Sequence, residues 1–270
     1  MSDARPGALA RSSALFDELR SRSRPIIVAH RGWSSRHPEN TVPAFEAAIA
    51  CGAEMIEFDV HVTQDGEVVV IHDETLDRTT DVNGRLGRSD VAVAGTDLAT
   101  LRTLDAGSWF GPGHAGASIP TLREALRSMS GRVVPMIEHK GGDVRIVVEV
   151  LREARMLDAV ILQSFDWDSV RSARSAAKEL ALGALGEGPL DASRCAEIDA
   201  LDVGLVHWNH EHLRWHDVRR LRGGGYLTCV YTANTDVELL GCCAAGLDAV
   251  TTNEPDRLLS IRRELAMRGA

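Results

Sequence analysis

Between His30 and Asp73 the sequence gathers two histidines, an arginine and a pair of carboxylates: Ala29-His30-Arg31-Gly32, then Glu57-Phe58-Asp59-Val60, then Val69-Val70-Ile71-His72-Asp73. These are most of the groups that a metal-assisted hydrolysis of a phosphate ester uses. Residues i and i+2 of a strand share a face, so a strand over 54–60 lays Glu57 and Asp59 side by side and turns Phe58 and Val60 away. Two neighbouring anions repel, by several kcal/mol (order of magnitude) where the site is partly dry, which leaves either a proton on one of them or a cation between them. Oxygen-only donors suit a hard divalent ion, Ca2+ or Mg2+, better than zinc. A pair of solvated strand residues is the plain alternative. The apolar flanks Met55, Ile56 and Phe58 speak against it, because a short strand so apolar is buried on both faces.

The same alternation applies to Glu138-His139-Lys140. Glu138 and Lys140 share one face, which adds a third carboxylate and a cation, and His139 points toward the outer layer. Imidazole carries protons well because its ordinary pKa lies near neutrality. Displacement at phosphorus needs a base on the attacking oxygen and an acid on the leaving one, so two histidines from different strand ends are suited to it. Arg31, with its forked guanidinium, and Lys140 are the groups to hold phosphoryl oxygens. Glu39 fits a supporting place, positioning Arg31 or a histidine.

The stretches HRGWSSRHPENT and EFDVHVTQDGEVVVIHD resemble the glycerophosphodiester phosphodiesterase family, whose pattern runs HR, PENT, ExD and HD in this order and at about this spacing. Glu138-His139-Lys140 stands where the family has ExK, Gln163-Ser164-Phe165 resembles its QSF, and residues 246–256 resemble its closing strand. The likeness runs from residue 26 to the end. It implies a metal held by Glu57, Asp59 and Glu138, proton transfer by His30 and His72, and hydrolysis of a small glycerophosphodiester to glycerol 3-phosphate and an alcohol with one divalent cation, Ca2+ or Mg2+. Three positions depart from the family pattern: Met136 where Asn is frequent, Tyr231 where Trp is frequent, and Asn253 where Asp is frequent. None of these removes an expected ligand or proton carrier, and all bear on the alcohol side of the pocket. A phospholipase-D-like barrel acting on lysolipid or sphingolipid would also use two histidines and an acidic site, but a long lipid calls for an apolar lip, and the segment that follows His72 is mainly small and polar. A non-catalytic phosphate-binding barrel would tolerate loss of a histidine or a carboxylate, and none is missing.

The other histidines are weaker candidates. His37 lies in a loop beside the expected site, and His61 stays unassigned. His207, His210, His212 and His216 have the look of a metal cluster, but Trp208 and Trp215 at helical spacing favour the packed start of a helix.

These residues need a scaffold that brings distant strand ends together. The 270 residues alternate strand and helix patterns, which implies a parallel sheet, and the length suits one closed α/β barrel, a TIM (β/α)8 fold, whose chemistry sits at the C-terminal ends of its strands. Strands are expected over 25–29, 54–60, 133–138, 159–163, 180–185, 200–206, 226–231 and 249–252, with a hairpin return over 68–71 after the Asp65-Gly66 turn. Helices are expected over 41–50, 121–130, 143–155, 167–178, 211–222, 235–245 and 255–267. Residues 1–24 read as an N-terminal extension with a short helical pattern over 14–19, and 25–270 as the barrel. Residues 74–118 read as an insertion over the C-terminal mouth after the second strand, with a short helix over 98–104, anchored by Trp109 and Phe110.

A formal charge of −9 argues against a nucleic-acid partner, though not against phosphate in a locally positive pocket. The five cysteines form no zinc-binding spacing and read as reduced thiols. No apolar run is long enough to span a bilayer, so no stable membrane insertion is expected. With no secretory pattern at the start, the expected location is cytoplasmic.

Overall fold

The structure, a computed structural model, describes residues 13–23 and 25–268. Among these residues nine strands form one sheet: β1 (Ile26–His30), β2 (Met55–Val62), β3 (Val68–Val70), β4 (Val134–Gly141), β5 (Ile161–Ser164), β6 (Ala181–Gly186), β7 (Leu205–Asn209), β8 (Leu227–Tyr231) and β9 (Ala249–Thr252). Their order is β1-β9-β8-β7-β6-β5-β4-β2-β3, and a further pairing of β1 with β2 closes the sheet on itself. β3 runs antiparallel to β2 and leaves eight parallel strands in the wall, a TIM barrel.

Strand register decides which side chains meet inside. Val28 lies opposite Met55 and His30 opposite Glu57, while Asp59 lies opposite Glu138 and Glu138 opposite Gln163. The inward residues near the strand starts are apolar: Ile26, Val28, Met55, Val134, Met136, Ile161, Leu205, Leu227 and Ala249 form one buried cluster. Leu15, Phe16 and Leu19 of α1 (Ala14–Ser21) belong to the same cluster, so this amphipathic helix stops the N-terminal end of the barrel. Ser13 caps it by accepting from the Phe16 N–H. On the outer face, Ile56, Phe58 and Val60 pack with Phe45, Leu122 and Val147 beneath the helical layer.

That layer comprises α2 (Val42–Cys51), α5 (Leu122–Met129), α6 (Val144–Glu153), α7 (Trp167–Ala176), α8 (Ala192–Ala200), α9 (Trp215–Gly223), α10 (Asp236–Ala244) and α11 (Pro255–Arg268); α3 (Val82–Leu86) and α4 (Leu98–Leu101) lie in the insertion. At α2, Thr41 accepts from the Ala44 N–H, Pro43 sits in the first turn, and Gly52 ends the helix at φ 101°.

Residues 200–206 differ from the expected strand. Ala200 ends α8, Asp202 turns the chain at φ 56°, and β7 begins only at Leu205. Leu201, Val203 and Leu205 are all buried, and a short apolar run does not distinguish a helix end from a strand. The expected helix over 211–222 begins at Trp215, and Trp208 lies on β7, so the spacing of the two tryptophans crosses a strand and a turn. His207 accordingly sits on a strand inside the barrel.

The insertion has more order than its composition implies. Leu76, Val82, Val91, Val93, Leu101, Leu104, Ala106 and Ile119 form a separate small core on Val69 and Ile71. It includes α3 (Val82–Leu86), which the sequence did not announce, and α4 (Leu98–Leu101), shorter than the expected 98–104. The Asp105 carboxylate accepts from the backbone N–H groups of Gly107, Ser108 and Gly116 and pins the loop that bears Trp109 and Phe110.

Candidate active site

The acids come from two neighbouring strands. Glu57 and Asp59 point inward from β2 and Glu138 from β4, and the three offer carboxylate oxygens within 4.8 Å of one another. All three are buried. Burial, then the charges of Asp59 and Glu138, push Glu57 well above the ordinary carboxylate range. Burial and Asp59 raise Glu138 to about 7, against the pull of Lys140. Burial also disfavours the Asp59 anion, but Arg31, His72 and the amide of Asn40 outweigh it and hold that carboxyl below its usual range. Asp59 Oδ2 receives Asn40 Nδ2 at 2.9 Å, whereas Asp59 Oδ1 and Glu57 Oε2 are buried with no hydrogen-bond partner. Buried carboxyl oxygens without partners, clustered on neighbouring strands, are the donor set of a hard divalent cation.

The histidines flank the acids. His30 closes β1, with Nδ1 2.6 Å from the Asn253 amide oxygen and Nε2 3.9 Å from Glu57 Oε2. His72 follows β3, with Nδ1 2.6 Å from Asp73 Oδ1 and Nε2 3.2 Å from Lys140 Nζ. An amide oxygen and a carboxylate can only accept, so each ring carries its proton on Nδ1 and turns Nε2 to the site. Burial, with the nearby charge of Arg31, holds His30 down at about 4.

Arg31 and Lys140 complete the rim. Arg31 is left-handed at φ 55°, and its N–H bonds the Glu57 carbonyl at 2.7 Å. Its guanidinium gives Nη1 to Glu39 at 2.8 Å and places Nε 3.2 Å from Asp59 Oδ2, a charge contact without hydrogen-bond alignment. Gly32 beside it has no room for a side chain, since a Cβ there would lie 2.7 Å from the Ala44 carbonyl carbon. Lys140 Nζ donates to Glu138 Oε1 at 2.9 Å. All eight candidate residues, His30, Arg31, Glu39, Glu57, Asp59, His72, Glu138 and Lys140, therefore meet at one end of the barrel through the contacts above.

Several partners escaped the sequence. Asn40 holds Asp59 from a left-handed position at φ 58°; its place in PENT was the available signal. Asp73 and Arg78 lie beside His72 and Glu39, and the pairing of Asp with His in HD pointed to the first of them. Gln163 accepts from His207 Nδ1 at 3.0 Å, and Thr251 Oγ1 stands 3.0 Å from His207 Nε2, a buried chain beneath the acids. Burial and His30 hold His207 to about 3, so it is neutral. Among the described residues no metal-ligating group forms around His207, His210, His212 and His216. His212 accepts from the Gly188 N–H, and His216 lies by Asp217. His37 stacks edge-on to His114 of the insertion at 5.3 Å, and His61 Nε2 lies 3.1 Å from the His72 carbonyl. His139 is buried without a partner for either nitrogen.

The family model described as "Glycerophosphoryl diester phosphodiesterase family" matches residues 30–257. The glycerophosphodiester phosphodiesterase of Caldanaerobacter subterraneus subsp. tengcongensis is 31% identical over 252 residues, covering 88% of this chain and 98% of that protein. The glycerophosphodiester phosphodiesterase of Bacillus subtilis is 31% identical over 275 residues, covering 93% of this chain and 91% of that protein. A phosphodiesterase of Oleispira antarctica, solved in complex with the product sn-glycerol-3-phosphate, superimposes with a TM-score of 0.80 at 30% identity, over 87% of this chain and 96% of that one.

Proposed function

Because the chain belongs to the glycerophosphoryl diester phosphodiesterase family, we propose that it hydrolyses glycerophosphodiesters to glycerol 3-phosphate and an alcohol with one divalent cation, Ca2+ or Mg2+. The observation that carries this reading is the pair of unsatisfied buried oxygens on Glu57 and Asp59, flanked by His30 and His72, each with Nε2 turned inward. Glu57, Asp59 and Glu138 would hold the cation. When bound it supplies positive charge beside the phosphoryl group and lowers the pKa of a nearby hydroxyl.

The chain's own groups do the rest. Arg31 and Lys140 bind phosphoryl oxygens. Lys140 is engaged with His72 Nε2 and Glu138, and a phosphoryl oxygen is a stronger partner for its ammonium than an imidazole nitrogen, so substrate binding frees Nε2. The glycerol part carries a hydroxyl next to the esterified carbon, and that hydroxyl is the nucleophile: it attacks phosphorus, a five-membered cyclic phosphate forms, and the alcohol leaves. Nucleophile and electrophile in one molecule avoid much of the entropic barrier. His30 takes the hydroxyl proton on Nε2; His72 enters the step as the imidazolium, its Nδ1–H held by Asp73, and gives its Nε2 proton to the leaving alcohol; the roles reverse as water opens the ring. Phe165, half exposed, stands edge-on to Tyr231 at 5.9 Å and 6.0 Å from Lys140 Nζ, which gives the alcohol an apolar wall. No helix among the described residues is long and apolar enough to cross a membrane. The five free cysteines support a reducing, cytoplasmic setting.

The test is to incubate purified protein with several glycerophosphodiesters and lysolipids in Ca2+, in Mg2+ and in chelator. Release of glycerol 3-phosphate that requires a cation is expected. No turnover of any glycerophosphodiester with either ion overturns the reading.

A further inference from the structure

The charged groups at the mouth form a chain that nearly closes on itself. It runs from Asp59 to Arg31 (3.2 Å), to Glu39 (2.8 Å), to Arg78 (2.7 Å), to Asp73 (2.6 Å), to His72 (2.6 Å), to Lys140 (3.2 Å) and to Glu138 (2.9 Å). Its two ends are both members of the acidic cluster. Arg78 sits mid-way and comes from the insertion. It gives Nη1 and Nη2 to the two Glu39 oxygens at 3.0 and 2.7 Å, and Nε and Nη2 to the two Asp73 oxygens at 2.6 and 3.0 Å. Paired two-point contacts of this kind fix angle as well as distance. The Glu39 it holds is the partner of Arg31, and the Asp73 it holds is the partner of His72 Nδ1.

We propose that Arg78 is a positioning residue for the hydrolysis, which sets the ring of His72 through Asp73 and the guanidinium of Arg31 through Glu39, so that the insertion must be in place before both are aligned. This rests on the roles of His72 and Arg31 under Proposed function. Neither carboxylate has another way to keep its orientation as well: an Asp73 released from Arg78 can swing while still touching His72, and a released Glu39 rotates about a single contact to Arg31. Arg78 touches none of the three acids in the structure, so its removal leaves the cation site standing. Lysine, a point charge, can serve one carboxylate at a time and restores part of the effect.

The experiment compares Arg78→Ala, Arg78→Lys, His72→Ala and the Arg78→Ala/His72→Ala double variant on two substrates, a glycerophosphodiester with an alkyl alcohol and one with p-nitrophenol. The nitrophenolate leaves without a proton and so does not need the acid. Arg78→Ala is expected to lower kcat on the alkyl ester by roughly 10- to 100-fold. It should cost several-fold less on the nitrophenyl ester, leave Ca2+ affinity by calorimetry within about threefold, and add to His72→Ala clearly less than its own full loss, because only the Arg31 arm is then left to disturb. Arg78→Lys should fall between. Equal losses of Arg78→Ala on both esters, or full additivity with His72→Ala, overturn the proposal while the roles of His72 and Arg31 stand. If His72→Ala itself does not distinguish the two esters, the acid assignment fails and the role of Arg78 fails with it. Should Arg78→Ala not fold, Asp73→Asn, which removes the charge Arg78 holds, is read in the same way.

Discussion

The ring of His30 donates from Nδ1 to the amide oxygen of Asn253 at 2.6 Å, so the group that orients it is neutral. His72 has a carboxylate, Asp73, at the same 2.6 Å. The two proton carriers are thus supported unequally. With burial and Arg31 holding His30 down at about 4, it stays unprotonated, and able to act as a base, well into the acid range. Asn253→Asp places a negative charge against Nδ1, which favours the imidazolium and raises the pKa. The acid limb of the kcat/KM profile should move to higher pH, by about one unit. An unmoved limb would show that His30 is not the base.

The acidic cluster links cation binding to pH. Glu138 titrates at about 7, up from an ordinary 4.5, and Glu57 is raised too. Between those values the folded, cation-free protein holds a proton that the unfolded chain has lost. That contribution to stability is present below the ordinary value and is lost as pH rises through about 7. A cation replaces those protons, so its benefit grows with pH. The rise in Tm on adding Ca2+ or Mg2+ should be larger at pH 8 than at pH 5.5. Scanning calorimetry at both values decides it, and an equal rise contradicts the cluster as the binding site.

Glu57→Gln separates charge from shape at that cluster. It removes a ligand charge and should weaken Ca2+ binding by tenfold or more, on the order seen when a ligand's support is lost. It also removes a group that must hold a proton against burial and the charges of Asp59 and Glu138. In chelator, the variant should therefore melt at a higher temperature than the parent. A lower Tm in chelator would mean that Glu57 is a structural residue.

His72→Ala should slow turnover by roughly 10²- to 10⁴-fold, the range for a lost acid or base. The side chain is 30% exposed, so little packing goes with it and Tm should hardly change. A large fall in Tm with a modest loss of rate would instead assign His72 to the fold.

The nucleophile can be identified from the substrate. Replacing the hydroxyl next to the esterified carbon by hydrogen should abolish turnover, because no cyclic phosphate can form. Hydrolysis of this deoxy analogue at the parent's rate makes water the direct nucleophile.

What the sequence disclosed followed from local geometry. Glu57 with Asp59, and Glu138 with Lys140, are two residues apart on strands, so alternation alone assigns each pair to one face. The alternation of strands and helices likewise pointed to the closed barrel, and the family pattern supplied the histidines. What stayed hidden depends on closure. Glu39 and Arg78 are 39 residues apart and meet only because the insertion folds on a core of its own. His207 is turned inward by β7, in a stretch where α8 and the strand both bury apolar residues on either side of Asp202 and Gly204.

The stopper helix α1 has a consequence for the order of assembly. Leu15, Phe16 and Leu19 share one buried cluster with residues from all eight wall strands, including Ala249 of β9, and β1 itself is paired with β9 from Ile26 to Ala29. The seat for α1 is therefore incomplete until β9 has been synthesised. This helix leaves the ribosome more than two hundred residues before β9 completes its site, and its apolar face waits exposed over that interval. Nascent chains ending before β9 should accordingly be sensitive to protease within α1 and dependent on chaperones, and lose both traits once residues 249–252 clear the exit tunnel.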